Sequence, residues 1–93
     1  MKMIMKIYDV FEVPAKGLVI GGTNKDFDNL SNEEIRRQIG TRIKLQNPDG
    51  SVVQTSIADV ELSNSLAGQK NVFLLLRDVK KSSVQQEAVV FSF

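Results

Sequence analysis

The sequence contains no cysteine and no histidine among its 93 residues. Without cysteine there is no disulfide, thiol nucleophile or thiolate metal site, and a reducing compartment, the cytoplasm, is the simplest expectation. Without histidine the chain lacks the commonest general base and the commonest metal ligand. These absences favour a protein that is not an enzyme, has no catalytic residues and carries no metal or other cofactor.

Long apolar runs and a strong net charge are also missing. The longest unbroken apolar run, Val72 to Leu76, is far shorter than the roughly 18–20 residues that cross a bilayer. The first residues include a lysine within what would have to be the apolar stretch of a secretory signal, so we expect neither a signal nor a membrane partner. Twelve basic residues against eleven acidic ones give a net charge of +1. Any site for nucleic acid must therefore be a local one.

What the sequence does contain is a β pattern, in which valine, isoleucine, leucine and phenylalanine alternate or form short blocks between glycine and proline turns. The chain is long enough for one domain, over residues 1–93. The strongest turn signal is Asn47-Pro48-Asp49-Gly50, which predicts a hairpin. The expected strands cover residues 4–13, 17–22, 42–46, 52–62, 71–79 and 87–93. The strand over residues 52–62 is expected to bend, because about 11 residues exceed the usual strand length.

One segment departs from the β pattern and predicts a two-turn helix over residues 32–39. Ser31 and Glu34 have the spacing of a capping box, and Leu30 and Ile35 stand where a hydrophobic staple would. Gly40 is a suitable residue just beyond the helix end. Such a short helix cannot hold alone, so we expect it to pack against the β framework and cover one end of it.

Two blocks of sequence carry a resemblance to a known family. The first is Ile7-Tyr8-Asp9-Val10-Phe11-Glu12-Val13-Pro14-Ala15-Lys16-Gly17-Leu18-Val19-Ile20-Gly21-Gly22, and the second is Asn71-Val72-Phe73-Leu74-Leu75-Leu76-Arg77-Asp78-Val79. Together with Ile39 to Leu45 and Gln85 to Phe91, they resemble the second, β-barrel domain of the translational GTPases, the elongation factor Tu group. The resemblance implies a six-stranded closed antiparallel Greek-key barrel, here with one short inserted helix, and without the GTPase domain.

The resemblance also implies a binding surface. Asp9, Phe11, Glu61 and Asn71 stand where the family's pocket for the aminoacyl end of tRNA has an Asp, a Phe, a Glu and an Asn. Lys16 stands where that pocket has an Arg. The sequence departs from the family at Gly21 and Ser63, which replace a Thr and a Phe, and in the inserted segment from Thr23 to Ile39. The resemblance therefore implies contact with RNA or a translation component rather than binding of an aminoacyl end.

Basic and apolar side chains add two further sets of candidates. Phosphate contacts could come from Arg36, Arg37, Arg42 and Lys44, and from the pair Lys80-Lys81. On the strand after Asn71, alternation predicts that Val72, Leu74 and Leu76 share one face. The other face then carries Phe73, Leu75 and Arg77, a candidate interface that Val89, Phe91 and Phe93 would extend if their strand were its neighbour. The opposite phase would expose Val72, Leu74 and Leu76 instead. Alternatively, the inserted helix covers this surface within the molecule.

Three weaker patterns favour ordinary structural roles. Asn24-Lys25-Asp26 is similar to a guanine-reading motif, but its fourth position is Phe27 and the chain has no phosphate loop, so no nucleotide is expected. Asp26, Asp28 and Asn29 do not have the spacing of a calcium loop. The pair Asp59 and Glu61 lies on one strand face with no histidine, cysteine or identifiable nucleophile beside it, which does not favour acid–base chemistry.

The sequence therefore predicts a non-catalytic binding module in the form of an all-β barrel. Two functions stay open at this point. In one, the module contacts RNA or a translation component, as the resemblance implies. In the other, it is a protein-interaction or homo-oligomerising module with no role in RNA binding.

Overall fold

The computed structural model describes residues 2–93, and within them the chain is mostly β. The strands are β1 (Met3–Val13), β2 (Gly17–Thr23), β3 (Arg42–Gln46), β4 (Val52–Ser56), β5 (Asp59–Asn64), β6 (Lys70–Leu76) and β7 (Val89–Ser92). The helix α1 spans Asn32–Ile39, and short 3-10 helices span Lys25–Phe27 and Lys81–Ser83. The described chain has no helix that is long and apolar enough to cross a bilayer.

The seven strands of the described chain form one antiparallel sheet in the order β4-β3-β7-β1-β2-β6-β5. The prediction of a mostly β fold is confirmed, but the strand expected over residues 52–62 is divided. Its alternation changes phase, because the half-buried positions Val53, Thr55 and Ile57 are followed by two exposed residues before Val60. The strand therefore breaks at Ile57 and Ala58.

The two residues at this break connect the two edge strands of the sheet. Strands β4 and β5 lie at opposite edges, and only Ile57 and Ala58 connect them. The Ile57 N–H donates to the Thr41 carbonyl oxygen and the Ala58 N–H donates to the Leu75 carbonyl oxygen, each at 2.8 Å. Since successive Cα atoms are about 3.8 Å apart, the facing ends of β4 and β5 lie within about 11 Å of each other. The sheet is therefore strongly curled.

Alternation along β6 decides which residues face the core. Val72, Leu74 and Leu76 are fully buried, whereas Phe73 and Leu75 face outward and are half-buried. Of the two possible phases of alternation, the structure therefore has the one that turns Phe73 and Leu75 outward. The core combines these residues with others from β1, β2, β3, β7, α1 and the connecting segments. They are Ile4, Met5, Ile7, Leu18, Ile20, Phe27, Ile35, Ile39, Ile43, Leu45, Val84, Ala88 and Val90.

The predicted helix is confirmed with the expected bounds. The Ser31 side chain accepts a hydrogen bond from the Glu34 N–H at 3.1 Å, and Gly40 follows the last turn with a φ of 73°. Ile35 and Ile39 are fully buried in the same core as the sheet. As expected, the helix packs on the β framework, since two turns of helix are not stable alone.

Candidate functional site

The outer face of β5, β6, β2 and β1 brings together residues from four strands. Register places Glu61, Phe73, Gly21 and Asp9 in one row across these strands. The neighbouring row on the same face consists of Asp59, Leu75, Val19 and Phe11. Directly paired residues on one face have Cβ atoms about 4.5–5.5 Å apart, so each row forms a continuous surface.

Gly21 determines where the ring of Phe73 lies. A Cβ atom at residue 21 would lie 2.8 Å from Cε1 and 2.9 Å from Cδ1 of Phe73, and 3.7 Å from the Cβ atom of Asp9. The ring therefore covers the glycine and extends from β6 over β2 toward β1. A residue with a side chain at this position would compete with the ring for the same space.

Beside this ring is a shallow depression of about 460 Å³, here called the aromatic groove. Its lining combines five apolar residues with the charged residues Lys16, Asp59 and Glu61. Phe11 is 39 % exposed, so one of its two phenyl rings is readily accessible. The lining residues are Phe11, Val13, Lys16, Val19, Asp59, Glu61, Phe73 and Leu75.

A second depression of about 590 Å³, here called the basic cavity, adjoins the aromatic groove and shares Val13 and Lys16 with it. It is lined by residues 12–18 of the β1–β2 hairpin, by Arg77 and by residues 79–82. Four cationic side chains line it, those of Lys16, Arg77, Lys80 and Lys81, against the single carboxylate of Glu12.

The hairpin that carries Lys16 has a tightly defined backbone. The Lys16 N–H donates to the Val13 carbonyl oxygen at 3.0 Å, and Pro14 presets the turn between them. Ala15 has a φ of 65°, which is unusual for a residue with a side chain. At Gly17 a Cβ atom would lie 2.4 Å from the Leu76 carbonyl oxygen, so only glycine allows the hairpin to approach β6 this closely.

The segment that carries Lys80 and Lys81 is held by a buried side chain of another element. Asn47, only 4 % exposed, follows β3. Its Nδ2 donates to the Ser83 carbonyl oxygen, and its Oδ1 accepts from the Gln85 N–H, both at 2.9 Å. Sequence reasoning assigned Asn47 to a turn, whereas its amide also fixes the connection between β6 and β7.

The structure brings most of the candidates suggested by the resemblance together. Phe11, Lys16 and Glu61 line the aromatic groove. Asp9 shares the row of Phe73, next to Gly21. Asn71 lies on the same face of β6 as Phe73, where its Oδ1 accepts from the Tyr8 hydroxyl at 3.3 Å.

Of the six residues predicted to contact phosphate, Lys80 and Lys81 line the basic cavity. The other four lie elsewhere, and three of them already have partners. Arg36 donates to the Val60 carbonyl oxygen at 2.7 Å, and Arg37 pairs with Glu33 at 3.7 Å on the same helix. Arg42 donates to the Ser56 hydroxyl at 3.1 Å, and its guanidinium carbon lies 5.8 Å from the centroid of the Phe93 ring. Lys44 is half-buried on β3, which is remote from β6 in the strand order. None of the four lines the aromatic groove or the basic cavity.

The candidate interface is also divided by the sheet order. Phe73 and Leu75 line the aromatic groove and Arg77 lines the basic cavity. Strand β7, however, is separated from β6 by β1 and β2, so Val89, Phe91 and Phe93 do not extend this surface. The predicted interface did not include Val19 or Asp59, which the cross-strand register brings next to Leu75.

Within residues 2–93, no three acidic side chains converge as ligands of a metal ion would. No protein-family model, curated protein or solved structure matches the chain.

Proposed function

We propose that this protein is a non-catalytic binding module that holds single-stranded RNA on the aromatic groove. The observation that supports this most strongly is the position of Lys16, which lines both the groove with its two phenyl rings and the cavity with its four cations. Proteins that bind single strands combine aromatic side chains, on which bases stack, with cations that follow the backbone. Here the two features adjoin each other.

Two carboxylates also line the aromatic groove. Asp59 lies near the cations, since it lines a further depression together with Lys16 and Arg77, whereas Glu61 does not. Negative charges repel phosphates, so a bound strand would place its backbone toward Lys16 and its base edges toward Glu61. A carboxylate can accept hydrogen bonds from the amino groups of bases. The choice of RNA over DNA rests on the resemblance to the translational GTPase domain.

The fold that we propose for this module is the closed six-stranded barrel. In this interpretation β4 and β5 are one bent strand that pairs with β3 along its first half and with β6 along its second half. The hydrogen bonds of Ile57 to Thr41 and of Ala58 to Leu75 support it. Hydrogen exchange tests it, because these two amides should be protected as well as those of β3; rapid exchange at both would contradict closure.

Binding of a fluorescein-labelled oligouridylate, followed by fluorescence anisotropy at low salt, tests the function. We expect the native protein to bind and Phe73→Ala to weaken binding about 5- to 150-fold, the equivalent of one stacked base. Phe93→Ala is the matched control, because Phe93 is 61 % exposed and follows β7. No binding by the native protein, or equal effects of the two substitutions, would contradict the proposal.

Self-association is a second candidate function, which a different surface supports. Met3 and Phe91 are paired on the outer face of β1 and β7, next to Lys44 on β3. Met3 is 47 % exposed, and Phe93 directly follows β7, the strand that contains Phe91. A homo-oligomer formed here would leave the aromatic groove free. Light scattering should then show a dimer that Phe93→Ser dissociates and Phe73→Ser does not, whereas a strict monomer at high micromolar concentration would exclude it.

A further inference from the structure

The distribution of unpaired cations over the molecule is uneven. In the part of the chain that the structure describes, the side chains of Lys16, Arg77, Lys80 and Lys81 take part in none of the hydrogen bonds or ion pairs. Several other cations are engaged: Lys2 with Gln38, Lys6 with Glu87, Lys70 with Asn32, and Arg36, Arg37 and Arg42 as described above. Among the described residues, four of the six cations without such a partner therefore line the basic cavity, and the other two, Lys25 and Lys44, lie outside it.

In the basic cavity the basic residues outnumber the acidic ones, whereas in the rest of the chain they do not. It holds four of the twelve basic residues and one of the eleven acidic ones. The remainder of the chain has eight basic and ten acidic residues. A depression lined by one sign of charge concentrates field and attracts the opposite charge. The small net charge of the whole protein therefore hides a local excess of positive charge in this cavity, and the nearest further carboxylates, Asp59 and Asp78, line the depressions beside it.

Both segments that supply these cations are fixed before any ligand arrives. The hairpin of Lys16 is set by Pro14 and by the close approach of Gly17 to Leu76. The segment of Lys80 and Lys81 enters a 3-10 helix that is anchored through Ser83 and Gln85 to the buried Asn47. Arg77 directly follows β6. A site whose backbone is already ordered loses less entropy when it binds.

We propose that the basic cavity is a phosphate site that prefers a phosphate monoester, the group found at the end of an RNA strand. A monoester carries close to two negative charges above its second pKa of about 6, whereas each internal phosphodiester carries one. Four cations against one carboxylate suit the dianion better. This inference rests on the proposed function, because the base next to the terminal phosphate would lie on the aromatic groove across Lys16.

The test compares three oligouridylates of equal length, with a 5′-phosphate, with a 3′-phosphate, and with hydroxyl groups at both ends. We expect one phosphorylated strand to bind the native protein about tenfold more tightly than the unphosphorylated strand, through charge-assisted hydrogen bonds at a partly solvated site. This gain should be present at pH 7.5 and should decrease below pH 6, where the monoester loses charge.

The variant Lys80→Ala/Lys81→Ala should lose this gain, and its log affinity should depend less steeply on log salt, by about 0.7 for each phosphate charge that the two lysines neutralise in the native protein. Lys25→Ala is the matched control, since Lys25 is an exposed lysine outside the cavity, and it should keep the gain. Equal affinity of all three strands for the native protein would overturn the phosphate site. A gain that survives in the double variant would also overturn it.

A titration with inorganic phosphate separates this inference from the proposed function. In the native protein, the amide resonances of Lys16 and Lys80 should shift with phosphate. In the double variant, the amide resonances at the same two positions should not shift. If phosphate shifts them while no oligonucleotide binds, the site takes a free phosphate and the RNA proposal is wrong. If the unphosphorylated strand binds and phosphate shifts nothing, the RNA proposal stands and the phosphate site is wrong.

Discussion

The pair of Gly21 and Phe73 shows how one residue without a side chain shapes the surface of this protein. The ring of Phe73 occupies the space that any other residue 21 would fill. The sequence shows a glycine where the resembling family has a threonine, but only the register across β2 and β6 shows which ring covers it. The aromatic groove therefore depends on a contact between strands that are distant in sequence.

Gly21→Ala should displace the Phe73 ring and leave the protein folded, because the neighbour that must move is a side chain and not backbone. We expect the aromatic resonances of Phe73 to shift and RNA affinity to fall as it does in Phe73→Ala. Thr23→Ala, on the same strand and face, is the control and should change neither. Unchanged RNA affinity in Gly21→Ala would show that the position of the ring is unimportant.

The resemblance predicted several members of the candidate site, whereas the choice of cations by residue type succeeded for Lys80 and Lys81 and failed for Arg36, Arg37, Arg42 and Lys44. Phe11, Lys16 and Glu61 were expected from the resemblance and do line one groove. Arg36 and Arg42 were selected because they are basic, yet Arg36 on α1 is held by Val60 of β5, and Arg42 on β3 is held by Ser56 of β4. Whether a cation is free depends on contacts between elements, which a linear pattern does not contain.

At the level of elements, α1 illustrates what local sequence can predict. Its bounds follow from a cap and a stop signal that act within a few residues, so no distant contact is needed to place it. The sequence predicted one bent strand over residues 52–62, and the structure divides it into β4 and β5, at a position whose signal was not used. The apolar positions shift phase between Ile57 and Val60, and a strand cannot keep one face buried through such a shift.

The cap of α1 gives a direct stability prediction. Ser31→Ala removes the acceptor of the Glu34 N–H and should lower the free energy of unfolding by about 0.5–2 kcal/mol. Denaturant unfolding followed by circular dichroism measures this. Ser31→Asp should retain most of the stability, because aspartate caps as well as serine does. A Ser31→Ala protein as stable as the native one would mean that this cap contributes nothing.

The turn between β3 and β4 gives a pH prediction. The Ser51 hydroxyl and N–H, at 2.7 and 2.9 Å, and the Gln85 amide, at 2.6 Å, donate to Asp49 and hold the pKa of its carboxyl below the ordinary 3.8. A lowered folded-state pKa stabilises the protein above the unfolded value, and this contribution is lost as the pH falls through the folded value. Thermal unfolding between pH 5 and pH 2 should therefore show a smaller loss of stability in Asp49→Asn and Ser51→Ala than in the native protein. Parallel curves for all three would refute this role of Asp49.

For the whole molecule, the curled sheet brings the hairpin of β1 and β2 and the segment after β6 to the same end. These segments are about 60 residues apart in sequence, and their cations meet only because β2 pairs with β6. The aromatic groove lies on the outer face of the same strands. The proposed function depends on the contact between the aromatic groove and the basic cavity, not on the total charge of the chain.

The most direct measurement is a titration of the isotopically labelled protein with a short oligouridylate, followed by amide chemical shifts. Binding at the proposed surface predicts that the resonances of Phe11, Lys16, Phe73 and Lys80 shift together with one apparent affinity. Those of Lys44 and Phe91, on the outer face of β3 and β7, should stay in place. Absence of shifts at millimolar oligonucleotide, or shifts confined to β3 and β7, would contradict the account.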